Sequence, residues 1–185
     1  MANPIRRDFY LFLLFTGLRS EEARSVKWNQ VDLNRGIVHF PKTKTDPFNL
    51  PLSDFLIDLL KQRKDCEKTN AEFENSLWIF PSHGKFGHIA EAKLSAREVR
   101  ELPIRFHPHL LRHTYITISE NQIAMPVGHA RLLVNHALPA LGDAHLVYLH
   151  PSIDDLKRSQ QAVTDFLKVA INPKKAQDNV VSIHG

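Results

Sequence analysis

Arg19, at the end of Thr16-Gly17-Leu18-Arg19, is the first residue whose setting asks for chemistry. It follows an apolar run, Phe9 to Phe15, where a guanidinium buried without an anionic partner would be costly. Two kinds of partner fit. Glu22, three residues on, would make Arg19 an ordinary ion pair that joins two helices, whereas an external anion would make it a binding group. His109 and Arg112 pose the same choice. Spaced by three, they share a helical face, either as two polar groups on a surface helix or as a clamp for a phosphate. An arginine suits the second use because its planar fork binds two oxygens at once and stays charged. Lys44 and Tyr148 have plain default places, a solvated turn charge and a core aromatic with its hydroxyl at the rim. They gain a chemical reading only in company.

Such residues need elements to hold them. From Arg6 to Val26, apolar Phe9, Leu13, Ala23 and Val26 with a dense patch between them predict two helices broken at Thr16-Gly17. Ile37 to Phe40 and Phe48 to Leu52 are β-prone runs around the polar segment Pro41 to Pro47, so a β-hairpin with a basic tip is expected. Ser53 is placed to cap a helix running to about Lys64, with Phe55, Leu56, Leu59 and Leu60 on its apolar face. Leu77 to Phe80 reads as a buried short strand or turn leading into a surface loop. Helical patterns follow at about Ala90 to Glu101, His109 to Glu120, His129 to Asn135, Asp143 to Leu149 and Asp154 to Ile171, separated by Pro103, Pro108, Pro126, Pro139 and Pro151. The fold class is therefore mainly α, with a small β-hairpin or three-stranded sheet near the N-terminal half.

The bulk composition narrows the class. A chain of 185 residues, 43% hydrophobic, supports one buried core, and residues 1–172 are read as one domain with a polar, flexible tail at 173–185. Lys and Arg outnumber Asp and Glu by 24 to 20 and there are 11 histidines, which favours an acidic partner without choosing one. A lone cysteine, Cys66, excludes an internal disulfide, and no Cys/His spacing resembles a metal site, so no metal or cofactor is expected. The run Phe9 to Phe15 is too short to cross a bilayer and carries no cleavage pattern, which makes a cytoplasmic setting the expectation. Only Met1 to Asn3 and Pro4 precede the first helix, so the chain is expected to be a fragment of a longer one.

Taken in order, the motifs converge. Thr-Gly-Leu-Arg-x-x-Glu at Thr16 to Glu22, followed by Trp28 and Val31-Asp32-Leu33, resembles the opening of the tyrosine recombinase (phage integrase) catalytic domain. Pro108-His109-Leu110-Leu111-Arg112-His113-Thr114-Tyr115 resembles that family's second box, Leu132-Leu133-Val134-Asn135-His136 its Leu-Leu-Asn-His segment, and Tyr148-Leu149-His150 its nucleophile segment. The likeness covers nearly all of residues 9 to 170.

The resemblance implies the tyrosine recombinase catalytic-domain fold and assigns roles by position. Arg19 and Arg112 would grip the scissile phosphate of double-stranded DNA, His109 would exchange a proton beside it, and His136 would be the second histidine. Lys44 would protonate the leaving 5′-oxygen, with Lys42 as runner-up and DNA contact; Glu22 would support; Tyr148 would become joined to the 3′-phosphate. His129, in Val127-Gly128-His129, is a competing match for His136 that lies too far from Tyr148. The chemistry is coherent: fixed guanidinium forks stabilise charge built on phosphate oxygens, and a phenol with a pKa near 10 needs cations and a base to attack.

The resemblance further implies integration or excision of a phage or mobile element in the bacterial cytoplasm, at the nucleoid, by a homotetramer on DNA. It also implies a preceding helical domain that completes a DNA clamp; that domain is absent from this sequence, so binding should be weak and salt-sensitive. A catalytically weak DNA-binding relative and a topoisomerase IB-like strand transferase are the alternatives. The apolar stripe Ile153, Leu156, Val163, Phe166, Leu167 and Ala170 is expected either to pack on its own core or to pass to a neighbouring subunit.

Overall fold

In a computed structural model, the described residues are 3–41, 47–69, 72–90, 94–102, 105–136 and 151–172. Helix α1 (Pro4–Thr16) starts where the Asn3 side chain accepts a hydrogen bond from the Arg6 N–H at 3.0 Å, with Pro4 in its first turn. It stops at Gly17, whose φ of 64° is a left-handed conformation that side-chain-bearing residues resist. A Cβ there would also stand 2.5 Å from the Tyr115 ring. Phe9, Phe12, Leu13 and Phe15 make α1 the central rod of the core. A short α2 (Ser20–Arg24) follows the break, as expected.

The sheet is three-stranded and antiparallel, in the order β1 (Val31–Asp32), β2 (Ile37–Phe40), β3 (Phe48–Pro51). Val31 faces Val38, Ile37 faces Pro51 and Phe40 faces Phe48, which fixes the register of the expected hairpin. Its tip, with Lys42 and Lys44, lies outside the described residues.

Helix α3 (Asp54–Thr69) runs a turn beyond the expected end at Lys64. The extension has no apolar marker because its inward groups are charged. Arg63, buried, faces Asp8 at 3.5 Å and Glu67 at 3.4 Å, and the Trp28 indole donates to Glu67 at 2.6 Å. At its other end the Ser53 hydroxyl accepts a hydrogen bond from Thr164 at 2.7 Å. The expected helix Ala90 to Glu101 is shorter, α4 (Ala96–Glu101), because Ser95 caps it through a reciprocal pair with Glu98, while Ile89 hydrogen-bonds to Phe80 instead. Of Leu77 to Phe80, Ile79 and Phe80 are buried, but Leu77 is exposed. Cys66 is exposed as well.

Helix α5 (His109–Thr117) continues into a π-helical turn, Ile118–Gln122. Helix α6 (Val127–Leu133) begins two residues before the expected His129. The expected helix Asp143 to Leu149 falls outside the described residues, as does the tail beyond Asn172. Helix α7 (Ile153–Ile171) is capped by Ser152 with Asp155, and its Leu156, Val163 and Leu167 pack on the chain's own core. One chain of bonds ties three helices: Tyr115 of α5, fully buried, donates to Gln160 of α7 at 2.7 Å, and Gln160 donates to the Phe15 carbonyl of α1 at 2.5 Å. Among the described residues, no helix is long and apolar enough to cross a membrane.

Candidate active site

Arg19 opens α2, directly after the glycine break. Its backbone N–H donates to one Glu22 oxygen at 3.1 Å, and its guanidinium reaches the other at 3.2 Å. The ion pair foreseen from the spacing therefore exists. It does not exhaust the residue, since the Arg19 side chain is 42% exposed and also donates to the Asn135 carbonyl at 3.1 Å. Arg112, from the second turn face of α5, is only 3% exposed. Its Nη1 donates to the Gly17 carbonyl at 2.7 Å and its Nη2 to the Val134 carbonyl at 2.9 Å.

The two arginines thus hang from successive carbonyls, Val134 and Asn135, at the end of α6. That end is shaped by Asn135, which adopts a left-handed φ of 51° and sends its amide to Glu22 at 2.9 Å. Asn adopts this conformation more readily than most residues. Glu22 consequently accepts from Arg19 and from Asn135 and links the start of α2 to the end of α6. Two of the five N–H groups of Arg112 hold backbone. A guanidinium so placed keeps further donors for an oxyanion while its orientation is fixed in advance.

The histidines stand around this pair. His109 is exposed at the first position of α5, and burial of its ring, then His113, Arg112, His107 and Arg19, hold its pKa below the ordinary 6.5. His136 follows Asn135, with its N–H on the Arg131 carbonyl at 2.9 Å. Burial first, then Arg112, Arg19 and Arg131, lower its pKa too, with Glu22 opposing. Both rings therefore lie within the field of Arg19 and Arg112 and are neutral at neutral pH. Arg112, depressed to about 10 by burial and by Arg19, remains a cation there. Such a set combines fixed positive charge with neutral bases, which suits binding a phosphodiester and moving a proton beside it. Among the described residues no group of three or more His, Cys, Asp or Glu side chains is arranged to hold a metal ion.

Of the residues singled out from the sequence, Arg19, Glu22, His109, Arg112 and His136 converge on one place. Lys42, Lys44 and Tyr148 lie outside the described residues. His129 instead bonds Ser159 of α7 at 2.8 Å and helps hold α6 to that helix. Asn135 was missed as a site residue. Its sequence signal was an Asn just past the last apolar turn of a helix, the usual place for a left-handed cap.

Residues 3–136 match the Phage integrase family. The prophage integrase IntF of Escherichia coli K12 is 26% identical over 170 residues, which cover 90% of this chain and 35% of that protein. In structure, the integrase from mycobacterium phage Brujita superposes with a TM-score of 0.62 at 17% identity, over 88% of this chain and 53% of that one. The XerH site-specific recombinase bound to difH substrate, in a pre-cleavage complex, gives 0.57 at 22% identity, over 93% and 47%. This chain thus spans about a third of the curated relative and about half of those structures. With the arginine pair, its histidines and the helical scaffold in place, the chain belongs to the phage integrase family and has the tyrosine recombinase catalytic-domain fold.

Proposed function

We propose that this chain cuts and rejoins DNA in site-specific recombination, through a covalent 3′-phosphotyrosine. The observation that carries the reading is the suspension of Arg19 and Arg112 from the adjacent Asn135 and Val134 carbonyls, with His109 and His136 in their field. Two guanidiniums held on adjacent carbonyls suit a phosphate whose charge grows on its equatorial oxygens during attack.

In this reading Arg19 and Arg112 hold the scissile phosphate. The Tyr148 oxygen attacks phosphorus, its proton passing to neutral His109, and the bond from phosphorus to the 5′-oxygen breaks as Lys44 protonates that oxygen. Lys42 is the alternative donor and a backbone contact. His136 hydrogen-bonds the phosphate, and Glu22 keeps Arg19 in place. The phosphodiester energy stays in the tyrosine linkage, so a second 5′-hydroxyl reverses the steps without ATP. The partner is double-stranded DNA, on which the full-length protein acts as a homotetramer, at the bacterial nucleoid. Residues 1–172 form the catalytic domain and 173–185 a tail.

A nicked suicide duplex carrying the element's own site tests this, with the full-length natural protein. A covalent protein–DNA adduct is expected, and Tyr148→Phe abolishes it. An adduct that persists in Tyr148→Phe overturns the nucleophile. Tight binding without any adduct replaces the enzyme by a DNA-holding relative.

A further inference from the structure

Arg19 has a rival for its phosphate inside the protein. A guanidinium that grips a carboxylate with two nitrogens is largely neutralised and keeps little for another anion. Arg112 bonds two carbonyls, which are uncharged. Arg19 bonds the Glu22 carboxylate, yet only through Nη1, which donates to Glu22 Oε1 at 3.2 Å and to the Asn135 carbonyl at 3.1 Å. Its Nε and Nη2, the side-on fork of a guanidinium, make no hydrogen bond among the described residues. The bonds of Glu22 show what keeps it from that fork. Its Oε2 accepts the Arg19 backbone N–H at 3.1 Å, and its Oε1 accepts the Asn135 amide at 2.9 Å, a shorter bond than the one from Arg19. Asn135 is buried and left-handed, so that one residue serves both neighbours: its carbonyl takes Arg19 and its amide takes Glu22.

We propose that Asn135 is a positioning residue that divides Arg19 from Glu22. Its amide holds the carboxylate to a contact with a single nitrogen, and its carbonyl orients that nitrogen, so that the Nε–Nη2 fork is kept for two oxygens of the scissile phosphate. The inference rests on the strand-cutting reading for the identity of the anion. Without the amide, Oε1 loses the shorter of its two bonds. The carboxylate can then turn about its bond to the Arg19 N–H and take a second guanidinium nitrogen, which is the strong geometry for such a pair. Arg19 would meet the phosphate already neutralised. The loss falls on the transition state, where phosphate charge grows, more than on the bound ground state, where duplex affinity is spread over many phosphates.

The test follows single-turnover adduct formation on the nicked suicide duplex by the full-length natural protein, as parent, Asn135→Gly, Glu22→Gln and the double variant. Glycine keeps the left-handed backbone, and with it the carbonyl, while deleting the amide, so the variant should stay folded by circular dichroism. Its adduct should form roughly tenfold more slowly, short of the roughly hundredfold or greater loss on deleting a transition-state donor outright. Its Kd for the duplex should change by less than about twofold. In the Glu22→Gln background no carboxylate competes for the fork, and Asn135→Gly should slow the reaction by no more than about twofold. Equal slowing in both backgrounds overturns the proposal, since the amide would then act on the backbone and not through Glu22. An unchanged rate in Asn135→Gly, or a loss confined to Kd, overturns it as well. A second measurement needs no cutting: in Tyr148→Phe protein, the preference for a scissile phosphate over an uncharged methylphosphonate at the same position should shrink on adding Asn135→Gly. A missing parent adduct with a preference that shrinks sinks the cutting and supports the divider. A missing adduct with no such preference, or with one that does not shrink, sinks both, whereas a normal adduct with any of the overturning results sinks only this proposal.

Discussion

The two arginines carry the same charge and hang from adjacent carbonyls, yet their replacement should have very unequal consequences for folding. Arg112→Met removes a buried guanidinium from the Gly17 and Val134 carbonyls, both on buried residues. Hydrogen bonds from a charged donor contribute about 1.5–3 kcal/mol each, so losing both should cost about 3–6 kcal/mol. At about 2–4 °C per kcal/mol for a chain of this size, the melting temperature should fall by about 6–24 °C. Arg19→Met breaks a half-exposed ion pair and one bond to Asn135, which predicts a cost of about 0–1 kcal/mol and a shift of at most a few degrees. Arg112→Lys separates charge from shape. One ammonium keeps the charge but cannot reproduce the fork between two carbonyls on different segments, so it should restore less than half of the loss. Circular dichroism melts of the four proteins decide the matter. If Arg112→Met melts within about 1 °C of the parent, or Arg19→Met falls as far as Arg112→Met, the backbone-anchoring role assigned to Arg112 is wrong.

Other substitutions probe the scaffold. Gly17→Ala must adopt a left-handed backbone and push into the Tyr115 ring, for a combined loss of about 2–5 kcal/mol by urea unfolding. Gly128→Ala on α6, where a Cβ meets nothing within 4 Å, should instead stabilise by about 0.5–1 kcal/mol; a loss there would contradict the open space. Tyr115→Phe leaves Gln160 without its donor and should cost about 1–3 kcal/mol in the same assay. Because folding lowers the pKa of His109 and His136 below 6.5, the unfolded chain binds more protons just below that value. Stability should therefore fall as pH drops through and below about 6.5, and His109→Gln with His136→Gln should flatten that fall in urea midpoints read at each pH.

Much of this was legible in residue order. Apolar periodicity located the helices, and Gly17 marked the break that brings Arg19 to the surface. The spacing of His109 and Arg112 placed both on α5, and the paired β-prone runs gave the hairpin. What escaped was held by backbone or by charge. The acceptors that orient both arginines are carbonyls of Gly17, Val134 and Asn135, and a carbonyl has no letter in the sequence. The last turn of α3 was invisible because Arg63 and Glu67, normally surface residues, point inward and satisfy one another. The start of α4 moved because Ser95 and Glu98 close a capping box inside a stretch that reads as continuous helix. The π-helical turn after α5 has no periodic signature of its own.

The double suspension of the arginines from the end of α6 also sets a schedule. The Arg112 fork spans 95 residues back to Gly17 and 22 forward to Val134, and Arg19 reaches 116 residues forward to Asn135. A chain emerging from the ribosome displays Arg19 early, but the carbonyls that aim it are made only after α5 and α6 have been translated and docked. Until then the cations are scattered along a nascent polymer and hold no common target. The paired arrangement of the two guanidiniums is thereby withheld during synthesis and arrives with the completed fold.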